Sequence, residues 1–159
     1  MKSKFKKIVM LAMVGIISTV NITGCSKTAE KSPKVSTIVS SIKKDFDIKT
    51  MKKSDMEKMK KVFGIEESKI DQYAYYIAPS FLKADQILII KVKNESDIDA
   101  IKEKINKGLD KKENIFKSYL PEESSLIQKN VLDTEGKYIL SVVSKKSDKI
   151  EKAFDKSFK

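Results

Sequence analysis

Side chains that do covalent or acid–base chemistry near neutral pH are scarce in this sequence of 159 residues. It holds one cysteine, Cys25, and no histidine. Cys–His nucleophile pairs, the Ser-His-Asp triad and the usual His/Cys zinc sites are thereby excluded. None of its five glycines belongs to a phosphate-binding loop of the Walker or dinucleotide type. No cofactor site is read, and a metal would have to rest on carboxylates alone. Two acidic groups come closest. Glu95, Asp97 and Asp99 fall in the first turn of a candidate helix, where negative charge stabilises the helix dipole by up to about 1 kcal/mol. Asp133 and Glu135 bracket a candidate hairpin turn, where acids are ordinary. A small carboxylate- or metal-dependent envelope hydrolase is the alternative reading. It singles out no catalytic pair, because the separation that defines one lies in space and not along the chain.

Cys25 is the exception, because of what precedes it. Met1 to Lys7 carries four lysines and no acid, and Ile8 to Val20 is nearly all apolar. A basic start, a short apolar run and small residues before a cleavage point describe a secretory signal. The run is shorter than the roughly twenty residues of a comfortable membrane span. Ile22-Thr23-Gly24-Cys25 resembles the lipobox of bacterial lipoproteins: aliphatic, small, Gly or Ala, then Cys. The resemblance implies that Ile22, Thr23 and Gly24 are read by the signal peptidase, that 1–24 is removed, and that Cys25 receives a diacylglycerol. Two acyl chains anchor stably where one does not. The expected location is therefore the extracytoplasmic side of the cell membrane, with the membrane itself a partner through the lipid on Cys25. As the only cysteine, it leaves no internal disulfide.

Loss of the four leading lysines lowers the formal charge from +11 to +7. All 33 basic residues are lysine, a bias expected of an AT-rich, low-GC Gram-positive genome. It argues against nucleic acid as a partner, since the bidentate arginine fork is the usual reader there. A basic domain outside the membrane is drawn weakly to anionic lipid or an anionic wall polymer. An envelope protein is the other candidate partner.

Residues 25–34 read as a lipidated cysteine and polar tether, and 35–159 as a single domain. Val35, Ile38, Val39, Ile42 and Phe46 recur at helical spacing after Ser32-Pro33. Ser54-Asp55-Met56-Glu57 reads as a capping box opening a second helix that ends at Gly64. Ile70 to Ala78 and Gln86 to Lys93 are strand candidates. A long helix, capped by Asn94 or Ser96, carries Ile98, Ile101, Ile105, Leu109, Phe116 and Leu120, and ends at Pro121. Lys129 to Asp133 and Lys137 to Val143 read as a hairpin around Thr134-Glu135-Gly136, with positive φ at the glycine. Ser147 caps a last helix with Ile150, Ala153, Phe154 and Phe158 on one face. The expected fold class is α+β: a four-stranded, mostly antiparallel sheet in the order β-β-α-β-β-α, with two extra N-terminal helices.

Leu88, Ile90 and Val92 alternate with Ile87 and Ile89, so something must cover both faces of the sheet. The long and C-terminal helices are expected over one face. The first two helices, or else a partner, cover the other. In the partner case Tyr73, Tyr75, Ile87 and Ile89 form the candidate partner face, with Tyr76 turned away.

From about Val35 onward the chain resembles a family of Gram-positive lipoproteins known as domain of unknown function 4358. The matching stretches are Val62-Phe63-Gly64-Ile65, Ala84-Asp85-Gln86-Ile87 running into Ile90-Lys91-Val92-Lys93, Ser118-Tyr119-Leu120-Pro121-Glu122, and Gly136-Lys137-Tyr138. Members often carry Glu where this chain has Gln86. The resemblance implies a lipid-anchored envelope protein and brings no catalytic residues. The resulting expectation is a lipid-anchored accessory or binding protein of the cell envelope.

Overall fold

The computed structural model describes residues 32–159. Its elements run α1 (Val35–Asp45), β1 (Lys52–Ser54), α2 (Met56–Phe63), β2 (Ile70–Ile77), β3 (Gln86–Val92), α3 (Ile98–Lys117), α4 (Pro121–Gln128), β4 (Val131–Glu135), β5 (Tyr138–Val143) and α5 (Ser147–Lys156). The five strands form one antiparallel sheet in the order β1-β2-β3-β5-β4.

The expected four-stranded sheet with two leading helices is thus corrected to five strands and five helices. The additional strand is β1, which pairs Lys52, Lys53 and Ser54 with Ile77, Tyr76 and Tyr75. It is short and lysine-bearing, as exposed edge strands tend to be, and so has no apolar alternation to betray it. Because β1 precedes α2, the second helix lies within the sheet's own connections and is not an N-terminal addition. The additional helix is α4. Pro121 does end α3's segment, but it also occupies the first turn of a new helix, with Glu122 and Glu123 behind it. A missing N–H costs nothing at that position, and acids there complement the dipole.

Local signals settle the ends of several elements. Asp55, not Ser54, caps α2: its carboxylate accepts from the Lys58 amide at 2.8 Å. Gly64 closes the same helix at φ 68°. The β4–β5 hairpin pairs Glu135 with Tyr138, so its loop is Gly136-Lys137, one residue shorter than expected, with Gly136 at φ 49°.

Both sheet faces are covered by helices of the chain itself. On one, Tyr75, Leu88, Ile90, Ile139 and Val143 pack with Met59 and Phe63 of α2, Ile101, Ile105 and Leu109 of α3, and Ile127 of α4. On the other, Ala74, Ile87, Ile89, Leu140 and Val142 pack with Ile38 and Ile42 of α1 and Phe154 of α5. One face is therefore covered by α2, α3 and α4 and the other by α1 and α5, which corrects the expected grouping of the long helix with the C-terminal helix and of the first two helices with each other. Gly108 lets α2 and α3 meet closely, since a Cβ there would run into the Phe63 ring. The chain enters at the far end of the sheet, where Tyr138 donates to the Pro33 carbonyl at 2.6 Å and shares a hydrogen bond with Ser32.

Candidate functional site

At the opposite end of the sheet a cleft of about 510 Å³ opens between α2, α3 and the segment joining β2 to β3. Its position follows from three periodicities. Gly108, Lys111, Lys112, Ile115 and Phe116 recur at three- and four-residue steps and line it from α3. Lys58 and Val62, one turn apart, line it from α2. Tyr75 and Ile77 share a face of β2, and Gln86 sits directly across from Ile77 at the start of β3. Lys52 on the edge strand and Pro79, Phe81 and Lys83 of the connection complete the rim.

The connection is held by α4. Glu123 is buried, accepts the Ala84 amide at 2.7 Å, and takes the Lys83 ammonium at 2.7 Å. Burial works against its charge, but the Lys83 and Ala84 contacts prevail and keep its carboxyl below the ordinary range. Pinned there, the connection presents Phe81 to solvent, 87% exposed, opposite Ile115, 66% exposed.

Lys112 is the unusual residue. Its ammonium donates to the Ala84 carbonyl at 2.8 Å and reaches the Gln86 side-chain oxygen at 3.5 Å. Burial pulls its pKa down to about 8; Asp85 and Glu123 offset part of this, and Lys58 adds to it. None of Lys52, Lys58, Lys111 and Lys112 lies within ion-pair distance of a carboxylate among the described residues. Gln86 is 1% exposed, and its side-chain nitrogen has no hydrogen-bond partner. A buried donor left unmade costs about 1–3 kcal/mol. Tyr75 is also buried, which pushes its hydroxyl up to about 12. The cleft thus combines apolar walls, an ammonium without a counter-ion and a donor without an acceptor. Such an arrangement can hold an anion.

The residues singled out in the sequence lie elsewhere or apart. Ile22, Thr23, Gly24 and Cys25 are outside the described residues. Tyr73 and Tyr75 do share a face, but Ile87 and Ile89 belong to the opposite one. Tyr75, Ile87 and Ile89 are buried, so the four make no common exposed surface. Asp97 is paired with Lys69 at 2.9 Å, and Glu135 ends β4 beside its turn. Among the described residues no three of His, Cys, Asp and Glu are grouped to hold a metal, and no helix is long and apolar enough to cross a membrane.

Lys112 and Gln86 were not foreseen, although each leaves a trace. The apolar stripe of α3 runs Ile101, Ile105, Leu109 and then skips to Phe116. Lys112 stands in the gap, where the period calls for an apolar side chain. Gln86 likewise heads the face that continues as Leu88, Ile90 and Val92.

No curated protein and no solved structure matches this chain. The family described as Domain of unknown function (DUF4358) matches residues 44–144. That span takes in the whole sheet, α2, α3, α4 and every residue lining the cleft, and the chain belongs to this family.

Proposed function

We propose that the protein is a lipid-anchored binding protein on the extracytoplasmic side of a Gram-positive cell membrane, and that the cleft beside Lys112 is where it binds. The observation that carries the binding reading is the Lys112–Gln86 pair lining the cleft: a half-buried ammonium that has carbonyl partners but no carboxylate, beside a buried amide N–H that has no acceptor. Anchoring is supported by the basic start, the apolar run and Ile22-Thr23-Gly24-Cys25. Folded proteins pair their buried polar groups, and a site that leaves an amide N–H without an acceptor beside an ammonium without a counter-ion is suited to a ligand that completes both.

Two measurements test the two halves. Cells fed a fatty-acid analogue should label the wild-type chain and not Cys25→Ala; label on Cys25→Ala overturns the anchor. Native mass spectrometry of the protein released from its own membranes should show a non-covalent mass that Lys112→Met lacks. A wild-type protein that always flies without a companion mass overturns the binding reading.

A further inference from the structure

We propose that the cleft takes a single-chain amphipathic anion, with a carboxylate or phosphate head on Lys112 and Gln86 and an apolar chain along Val62, Phe116, Ile115 and Phe81. The inference rests on the binding reading above and specifies its ligand.

The head follows from the unmet groups. Gln86 offers an N–H and no demand for a donor, because its oxygen already faces the Lys112 ammonium. Lys112 offers positive charge with no carboxylate in contact. Both requirements are met by one anionic oxygen; a cation meets neither, and a hydroxyl accepts the N–H but brings no charge to Lys112. The exposed ammoniums of Lys52, Lys58 and Lys111 around the rim give a field of the same sign, whereas Lys83 is already spent on Glu123. Charge is therefore complementary to an anion at the base and at the mouth.

The tail follows from the walls. An inorganic or sugar-like anion leaves the apolar lining unused. Yet Phe81 and Ile115 stand mostly exposed on either side of the opening, while Val62 and Phe116 continue the apolar surface inward. Burying such side chains stabilises a complex by roughly 25 cal/mol per Å² removed from water. A chain of methylenes meets all four, whereas a compact anion meets none of them.

Calorimetric titration of the Cys25→Ala chain, which carries no acyl group of its own to compete, tests this with dodecanoate, dodecyl phosphate, dodecyltrimethylammonium, dodecanol, inorganic phosphate and a glycerol-phosphate polymer. Dodecanoate, dodecyl phosphate or both should bind, the stronger of the two distinguishing a fatty acid from a lipid phosphate as the source. Lys112→Met should weaken that binding about tenfold or more, as loss of a desolvated charge partner does. Gln86→Glu is the decisive variant. It places a carboxylate beside Lys112 with almost no change of shape, so the fold should be kept and the anion lost. Equal binding of dodecanol or dodecyltrimethylammonium overturns the assignment of the head. Equal binding of inorganic phosphate or the polymer overturns the tail. Unchanged dodecanoate affinity in a folded Gln86→Glu overturns the site. Any of these alongside a companion mass on the native protein refutes the amphiphile and leaves the binding reading standing.

Discussion

Lys112 has a consequence at the scale of a single residue that can be measured without any ligand. Its ordinary pKa of 10.5 falls to about 8 in the folded protein. Between those values the unfolded chain holds the proton and the folded one has released it, so stability rises with pH across that window. Tyr75 acts with the opposite sign but later. Its pKa moves from 10.0 up to about 12, so the folded state keeps a proton the unfolded state loses, and stability falls with pH above 10. The span from pH 8 to 10 therefore belongs to Lys112. Urea unfolding followed across it should show a rising midpoint in the wild type and a flatter one in Lys112→Met. An equal slope in both would mean that the ammonium is as well solvated in the fold as outside it. This position was legible in part: the skipped step between Leu109 and Phe116 marks an intruder on an apolar stripe. What the stripe does not show is that Gln86, distant in sequence, stands beside it.

At the scale of elements, the approach of α2 to α3 decides the shape of the cleft wall. Gly108 is a poor helix residue by about 1 kcal/mol against alanine, so Gly108→Ala would stabilise an isolated helix. In the folded protein the added methyl meets the ring of the buried Phe63 and lies 3.1 Å from the Val62 carbonyl. Overpacking of this kind costs about 1–3 kcal/mol, enough to outweigh the gain. Gly108→Ala should therefore lower the unfolding midpoint, measured by denaturant titration, and a rise would show that α2 yields freely. Glu123 gives a second test at this scale. Glu123→Ala removes the acceptor of the buried Ala84 amide and should cost about 1–3 kcal/mol, while loosening the connection that carries Phe81. Hydrogen exchange at Ala84 should accelerate; unchanged protection would mean that the connection holds itself without α4.

At the scale of the molecule, entry and cleft lie at opposite ends. Ser32 and Pro33 are fastened to Tyr138, which pairs with Lys91, whereas the cleft begins at Gln86. The seven residues of β3 separate the two ends by about 20 Å. If Cys25 is held in the outer leaflet, the domain stands outside the membrane, with the cleft at the end of the sheet opposite Ser32 and Pro33. On that reading lipid blocks the Cys25 sulfur, and Phe81→Cys should react in intact cells with a maleimide that does not cross membranes. Protection of the new thiol in intact cells, with labelling only after lysis, would place the domain on the cytoplasmic side.

Much that is local was determined by the sequence alone. The alternation along β2 and β3, the helical periods of α1, α3 and α5, and the left-handed glycines at 64 and 136 each depend on residues within a few positions of one another. So does the requirement that both sheet faces be covered. Tertiary structure decided everything that depends on who lies beside whom. A three-residue polar segment became β1 only because the edge of β2 was open to it. The first helix joined the last on one face, leaving α2, α3 and α4 on the other, because packing joins faces that fit, whatever their order. Most of all, an ammonium on α3 and an amide on β3 came to share one cleft. Periodicity says which way a side chain points from its own element, but only the packed core says what it then meets.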